Sequence, residues 1–240
     1  MEFVDRVDAG ARLAVELEAL AKERPVIVAL PRGGVPVAFE IARALHAPLD
    51  ILAVRKLGAP GNPELGVGAV AEDGTGVLDP QSAEMHGMTQ AMLEETLAVE
   101  SRELRRRVER YRDGRPSVPV KGRTVVIVDD GLATGLTDLA AVRALRKRGA
   151  REIVVAVPVG SSEAVSMLAR EADRVICLEI PRRLFGVGMW YRDFSPVSDE
   201  QVEALLAEAG KEETTPGASS EESGLTQTAG PSADALHGVR

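Results

Sequence analysis

Two adjacent carboxylates followed by a turn of small residues are the part of this sequence best suited to chemistry. Asp129 and Asp130 come directly after the apolar run 125–128, and residues 131–137 hold two glycines and two threonines. Glycines let the backbone bend tightly, and the free N–H groups at the start of a helix attract anions. The turn therefore suits a phosphate monoester, and the two acids suit a sugar diol or a divalent cation bound through water.

The plain structural alternative is an ordinary strand-to-helix turn in which Asp130 caps the helix. That alternative gives no reason for two acids, two glycines and two threonines within residues 129–137. The segment is not a Walker phosphate loop, because no Gly-Lys-Ser/Thr follows it. The sequence also has no Gly-x-Ser-x-Gly elbow, which would supply the nucleophile of a hydrolase.

Short β-branched runs that alternate with helical stretches must position this turn. Such alternation favours a parallel sheet covered by helices on both faces, which is the doubly wound α/β class. The predicted strands lie at residues 26–30, 49–55, 67–71, 124–128, 153–157 and 174–178.

A helical insertion interrupts this rhythm at about residues 88–113, where six arginines lie between Arg102 and Arg112. These arginines indicate either a patch that grips phosphates or RNA, or a solvated helix face balanced by glutamates. The charge balance favours the second interpretation. We expect one domain over residues 1–210. Residues 211–240 are rich in Gly, Pro, Ser and Thr, and they predict a disordered tail.

Composition argues against several classes of partner. A net charge of -8 opposes capture of a nucleic acid backbone, and one Trp, two Tyr and four Phe leave few rings for stacking on bases. No stretch approaches the roughly 20 apolar residues of a membrane span. The acidic start of the chain differs from a secretory signal. We therefore expect a cytoplasmic protein without a membrane partner, and a nucleic acid partner is disfavoured.

Three segments together resemble one protein family. Residues 129–137, Asp-Asp-Gly-Leu-Ala-Thr-Gly-Leu-Thr, resemble the phosphoribosyl pyrophosphate (PRPP) loop of type I phosphoribosyltransferases, and the adenine phosphoribosyltransferase form is the most similar. Residues 31–34, Pro-Arg-Gly-Gly, are similar to the family's pyrophosphate loop. Arg-Lys-Leu-Gly at 55–58, with Pro-Gly at 60–61, resembles the entry to its flexible loop.

The resemblance implies the type I phosphoribosyltransferase fold, with core strand order 3-2-1-4-5 and a small hood at about residues 181–210. In that order the first and fourth strands are neighbours, so the loops at 31–34 and 129–137 face each other at a switch point. The family's first loop often contains a non-proline cis peptide. By resemblance, this bond lies between Pro31 and Arg32.

The implied reaction transfers the 5-phosphoribosyl group of PRPP to a nucleobase or related N-heterocycle, with Mg²⁺ as cofactor and release of pyrophosphate. Asp129 and Asp130 would hold the ribose hydroxyls and the metal, directly or through water. The implied catalytic residues are Asp129, Asp130, Arg32, Lys56 and Glu72. The implied substrate-binding residues are Arg32, Gly33, Gly34, Arg55, Lys56, Asp129, Asp130, Gly131, Leu132, Ala133, Thr134, Gly135, Thr137 and Trp190.

Several assignments stay open at this point. Glu72 is either a general acid or base or an acid in a surface turn. The aromatic residues from Phe185 to Phe194, Trp190 among them, either stack on the acceptor or pin the C-terminal helix. A PRPP-binding or nucleotide-binding regulatory protein on the same fold is the alternative function. A second copy of the chain, in a homodimer, stays open as a partner.

Overall fold

A computed structural model describes residues 2–59 and 62–214. The strands are β1 (Val26–Ala29), β2 (Leu49–Ile51), β3 (Val54–Ala59), β4 (Asn62–Ala71), β5 (Gly76–Leu78), β6 (Thr124–Val128), β7 (Glu152–Val159) and β8 (Arg174–Glu179). The helices are α1 (Arg6–Leu17), α2 (Gly34–Leu45), α3 (Pro80–Met85), α4 (Gln90–Arg112), α5 (Leu136–Lys147), α6 (Ser162–Leu168) and α7 (Asp199–Thr214).

The centre of the fold is a parallel sheet of five strands in the order β2-β1-β6-β7-β8. Along β1 the buried side chains alternate between two cores. Ile27 and Ala29 pack in the core with α1, α2 and α7, while Val26 and Val28 pack in the core with α5 and α6. Helices therefore cover both faces, which explains why β1 is wholly apolar and why β6 and β7 are apolar after their first residue. The predicted doubly wound α/β fold is confirmed.

The neighbouring strands β1 and β6 form the switch point of the sheet. Ala29 is in register with Val128, and the Leu30 N–H donates to the Val128 carbonyl at 2.9 Å. The chain leaves β1 toward β2 and leaves β6 toward β7, in opposite directions. The segments that follow the two strands consequently lie side by side at the carboxyl edge of the sheet, as the sequence predicted.

The predicted position of the third strand is wrong. Residues 67–71 belong to β4, which pairs with β3 and β5 in a separate antiparallel sheet. The outer edge of β2 is already occupied. Arg112 donates to the Ile51 carbonyl at 2.9 Å, and the Val118 N–H donates to the Asp50 carboxylate at 2.8 Å. The neighbours β2-β1-β6-β7 correspond to strands 2-1-4-5 of the predicted order. The fifth strand of the sheet is β8, which lies beside β7 and not beside β2.

The predicted helical insertion is α4, and several of its arginines contact acids. Arg110 forms ion pairs with three acids of α7, Asp199, Glu200 and Glu203. Arg106 pairs with Glu103. These pairs agree with a charge-balanced helix face. Within the described residues, no helix combines the length and the apolar character needed to cross a membrane. Helix α7 continues to Thr214, so the tail predicted at 211–240 begins too early, and its part from 215 onward lies outside the described residues.

Candidate functional site

The first loop of the site turns directly from β1 into α2. The peptide bond between Pro31 and Arg32 is cis, as the resemblance implied. A Cβ on Gly33 would lie 1.9 Å from Asp130 Oδ2, and a Cβ on Gly34 would lie 2.5 Å from the Val128 carbonyl oxygen. Only glycine allows this close approach. The two glycines therefore let the loop pack directly against the end of β6.

The acid pair lies where β6 ends. The Asp130 N–H donates to Asp129 Oδ1 at 2.8 Å, which fixes the first carboxylate against the backbone. Burial raises the pKa of Asp129 well above its ordinary value, and the nearby Asp138 and Asp130 raise it further. Burial also raises the pKa of Asp130, although Arg6 opposes the shift. Such a site favours positive charge or hydroxyl donors brought to its carboxylates.

Arg6 is a site residue that the sequence did not reveal. It is the first residue of α1, whose N-cap Asp5 accepts a hydrogen bond from the Asp8 N–H. Its Nε and Nη2 lie 2.9 and 2.8 Å from Asp130 Oδ2. Nothing in the local pattern of α1 could indicate this contact, because 124 residues separate the partners.

The hood and α1 together surround Asp130. The guanidinium of Arg6 lies 3.9 Å from the ring centroid of Phe194, and its Nη1 donates to the Ser195 carbonyl at 2.9 Å. The Tyr191 hydroxyl donates to the carbonyl of Asp130 at 2.7 Å. The second acid is thus held through both its backbone and its side chain.

The β7–α6 turn anchors the predicted PRPP loop. The Leu132 N–H donates to the Val159 carbonyl at 2.8 Å, and the Ser161 N–H donates to the Leu132 carbonyl at 3.0 Å. Because the Leu132 side chain is also buried, its assignment to substrate binding is corrected to that of an anchor. The neighbouring Ala133 and Thr134 are exposed. This part of the loop is therefore open to solvent.

The loop ends at the start of α5. Gly135 is the N-cap with a φ of 73°, a conformation that favours glycine, and among the described residues no side chain caps this helix. The N–H groups of its first turn have no partner within the helix, so they are available to an anion. Thr137 is half-buried, and its hydroxyl donates to Asp138 Oδ2 at 3.2 Å.

Asp138 is a second residue that the sequence analysis missed. It is buried, and within the described part of the chain its Oδ1 has no hydrogen-bond partner. Burial raises its pKa to about 7. Its position among the apolar residues Leu136 and Leu139 of the same helix turn was the signal that could have indicated a buried acid.

The predicted cationic residues have different surroundings. Arg32 is half exposed and lies 3.7 Å from Asp199 at the start of α7. Arg55 pairs with Glu100 of α4 at 2.8 Å. Lys56 extends across β4, where a Cβ on Gly66 would lie 2.0 Å from its Cε. The predicted residues 60–61 lie outside the described part of the chain.

The structure does not bring Glu72 to this site, so its catalytic assignment is corrected. Its carboxylate accepts from Arg148 at 3.0 Å and from the Ala53 N–H at 3.1 Å, and Arg112 lies 3.5 Å away. Arg148 is the C-cap of α5, whereas the PRPP loop precedes the N-terminus of that helix. Glu72 is buried and forms ion pairs with Arg148 and Arg112.

The hood covers one side of the PRPP loop. A short 3₁₀ helix, Val187–Trp190, places Val187 so close to Gly131 that a Cβ there would lie 2.5 Å from it. The Trp190 carbonyl accepts from the Phe3 N–H at 2.8 Å. Tyr191 packs against Phe3 and Phe194, with ring centroids 5.4 and 4.9 Å away. These contacts pin the hood to the N-terminal segment.

The carboxylates of the site suit one way in which proteins bind a metal ion. Within residues 2–59 and 62–214, no group of three His, Cys, Asp or Glu side chains could hold a metal by itself. Magnesium, however, is usually bound by one or two carboxylates together with water and the phosphates of its substrate. Asp129 and Asp130, beside an amide-rich loop, fit that mode of binding.

Comparisons with known proteins place the chain among relatives. The family model described as "Phosphoribosyl transferase domain" matches residues 3–192. Two Mycobacterium tuberculosis sequences, each named "Putative phosphoribosyl transferase", are 46% identical over 216 residues, which is 90% of this chain and 49% of each relative. The chain thus spans about half the length of these curated relatives. The crystal structure of TT1426 from Thermus thermophilus is 50% identical with a TM-score of 0.74, covering 87% of this chain and 99% of that one.

Proposed function

Because the chain belongs to the phosphoribosyl transferase domain family, we propose that it transfers the 5-phosphoribosyl group of PRPP to a nucleobase or related N-heterocycle. One observation carries the proposal. Asp130 lies directly against Gly33 of the first loop and Asp129 against Gly34, beside the start of α5. This arrangement offers a phosphate site, a diol site and a pyrophosphate site in one place.

The 5-phosphate binds at the start of α5. Exposed Ala133 and Thr134, the glycine Gly135 and half-buried Thr137 offer backbone N–H groups and hydroxyls to its oxygens. The positive end of the helix dipole adds a favourable potential there. The anchor at Leu132 fixes this loop before the ligand arrives, so less ordering cost opposes binding.

The two acids accept hydrogen bonds from the ribose hydroxyls, and the first loop receives the pyrophosphate. Arg32 and Gly33 offer backbone N–H groups, and the half-exposed Arg32 guanidinium adds positive charge. Asp129 and Asp130 also hold Mg²⁺, which when bound neutralises charge on the phosphates. Lys56, on the β3–β4 hairpin, is the second cation assigned to the leaving group.

The reaction breaks the bond between C1 of the ribose and the pyrophosphate oxygen, and the electron pair leaves with pyrophosphate. A ring nitrogen of the acceptor then donates its lone pair to C1, and a proton displaced from the acceptor ring passes to solvent or to the released pyrophosphate. Because the sugar passes through a cationic state, the carboxylates beside it stabilise positive charge, and Arg32 stabilises the departing oxygen. No nucleophilic side chain is needed for this displacement.

A PRPP-binding regulatory protein is the second candidate function. One observation favours it: Glu72, to which the resemblance assigned proton transfer, lies away from the acid pair with Arg148 and the Ala53 amide as its partners. A regulator needs the PRPP loop and the acid pair but no residue that manages the acceptor's proton. The two candidates therefore share the site and differ only in turnover.

Pyrophosphate release separates the two candidates. The full chain is incubated with PRPP, Mg²⁺ and a panel of purines, pyrimidines and pyridine carboxylates, and pyrophosphate is measured for each acceptor. The proposal expects release with at least one acceptor and none with the Asp129→Asn/Asp130→Asn variant. PRPP binding without release for any acceptor would favour the regulatory function.

A further inference from the structure

The geometry assigns Arg6 as a positioning residue that orients the Asp130 carboxylate toward the sugar hydroxyls, an inference that rests on the proposed function. No resemblance or sequence pattern pointed to this residue. The assignment follows from the contacts of this guanidinium group, which α1 carries, with the end of β6 and with the hood.

The contact with Asp130 is directional. Two nitrogens of the planar guanidinium, Nε and Nη2, converge on the single oxygen Oδ2 at 2.9 and 2.8 Å. Charge-assisted hydrogen bonds of this length are the strong ones. The side chains of Arg6 and Asp130 are only 11% and 17% exposed, so water competes weakly for either partner. The pair therefore fixes the position of Oδ2 and with it the direction of the carboxylate.

Arg6 is held from its other side as well. Nη1 donates to the Ser195 carbonyl at 2.9 Å, and the guanidinium carbon lies 3.9 Å from the Phe194 ring centroid. Arginine favours such stacking on aromatic rings. Because these hood contacts do not involve Asp130, they keep the guanidinium in place while Asp130 binds a ligand. Arg6 thus acts as a support for the acid and not as a blocker that a ligand must displace.

Arg6 supplies the hydrogen bonds that set the direction of the Asp130 carboxylate. Gly33 packs against the same oxygen that Arg6 holds, and Tyr191 holds the backbone carbonyl of Asp130. Without Arg6, the Asp130 side chain could turn about its χ1 and χ2 bonds, and it would then leave its present position. Removal of Arg6 is therefore expected to weaken the contact with the diol while the phosphate loop at 133–137 stays intact.

The test measures recognition of one hydroxyl. Calorimetric titrations in Mg²⁺ compare ribose 5-phosphate with 2-deoxyribose 5-phosphate, for the wild type and for Arg6→Ala. The wild type is expected to prefer the ribose compound by roughly tenfold or more, the size of one hydrogen bond to a charged group. In Arg6→Ala that preference is expected to fall to less than about threefold. A retained preference would overturn the inference.

Arg12→Ala is the matched control. Arg12 lies on the same helix, donates two hydrogen bonds to Asp8 and lies 5.2 Å from the ring centroid of Phe3. Its removal also costs α1 an ion pair and a ring contact, but leaves Asp130 untouched. The preference for ribose 5-phosphate is expected to stay at the wild-type ratio in this variant. Loss of the preference in Arg12→Ala as well would indicate a purely structural effect and overturn the inference.

Arg6→Lys separates charge from orientation. Lysine keeps the positive charge but lacks the planar fork that sends two bonds to one oxygen. We expect this variant to recover only part of the preference, and full recovery would overturn the orientation argument. A wild type that binds neither PRPP nor ribose 5-phosphate would instead refute the proposed function. The two failures are therefore distinguishable.

Discussion

Gly33 and Asp130 touch across the switch point of the sheet: a Cβ on Gly33 would lie 1.9 Å from the Oδ2 atom of Asp130. The first loop and the acid pair consequently form one unit, even though they follow different strands. Arg6 holds the same oxygen by two hydrogen bonds. A ligand that bridges the two loops meets a surface whose parts are already fixed in position.

Gly33→Ala is predicted to weaken PRPP binding more than it weakens the fold. Gly33 has a φ of -62°, which alanine adopts without strain, so the cost comes from the new methyl group pushing Asp130 away from Arg6. We expect PRPP affinity in Mg²⁺ to fall by about 10- to 100-fold, as for the loss of a supporting contact behind a ligand. Calorimetric titration measures the affinity, and thermal unfolding measures the fold.

Gly186→Ala is the control for that substitution. Gly186 lies in the hood with an extended φ of 175°, and nothing lies within 4 Å of the position of its Cβ. Wild-type affinity and thermal midpoint are expected. Equal losses of affinity in the two alanine variants would contradict the role given to the contact between Gly33 and Asp130.

The stability of the ligand-free chain is predicted to depend on pH through Asp138. Burial raises the pKa of Asp138 to about 7, whereas it is about 3.9 in an unfolded chain. Between these values the folded chain binds the proton and the unfolded chain does not, so this contribution to stability is lost as the pH rises through about 7. Asp138→Asn removes the titration. The change in Tm caused by the variant should therefore be more favourable at about pH 8 than at about pH 5.

Asp173→Asn is expected to show the opposite sign. Although burial opposes the shift, hydrogen bonds from the Ile153 amide and Arg146 hold the pKa of Asp173 below its ordinary value. Its stabilising contribution is present above its unfolded pKa and is lost as the pH falls through the folded one. The Asn variant should thus be destabilised at neutral pH and less so in acid.

A Tm change for Asp138→Asn that is the same at every pH would refute the interpretation of Asp138 as a buried acid.

Glu72→Gln is predicted to destabilise the fold without changing PRPP binding. The variant leaves Arg148 and Arg112 without a buried carboxylate, and loss of one partner of such a pair costs about 3 kcal/mol. Thermal unfolding should show a Tm lowered by roughly 2–4 °C for each kcal/mol. The exposed pair of Glu103 with Arg106 provides the control, since solvent screens such a pair and Glu103→Gln should leave the Tm close to that of the wild type. If the variant lost PRPP affinity while its Tm stayed unchanged, Glu72 would have to act in the PRPP site, contrary to this account.

The parts of the fold that the sequence predicted are those that local patterns determine. One short segment of the sequence contains the apolar run of β6, the acids that follow it and the glycine at the start of α5. The side-by-side position of the two loops also followed, because parallel strands connected in opposite directions leave a crevice between them. The doubly wound class and the central strand neighbours were predicted for the same reason.

The parts that could not be predicted depend on contacts between distant residues. The pattern of β4 is that of a strand, but the partner of that strand depends on Arg112 and Val118, which cover the edge of β2. Arg6 resembles any charged residue in the first turn of a helix. Glu72 was assigned to catalysis through the family resemblance, although its surroundings are set by Arg148 from a distant helix end.

The titration of the full chain with PRPP in Mg²⁺ tests the central claim most directly. The acid pair and the start of α5 predict binding at one site per chain. The Asp129→Asn/Asp130→Asn variant, which keeps the shape of both side chains, should bind at least about 100-fold more weakly because two charge-assisted hydrogen bonds are lost. No binding by the wild type, or equal binding by the two proteins, would contradict the account.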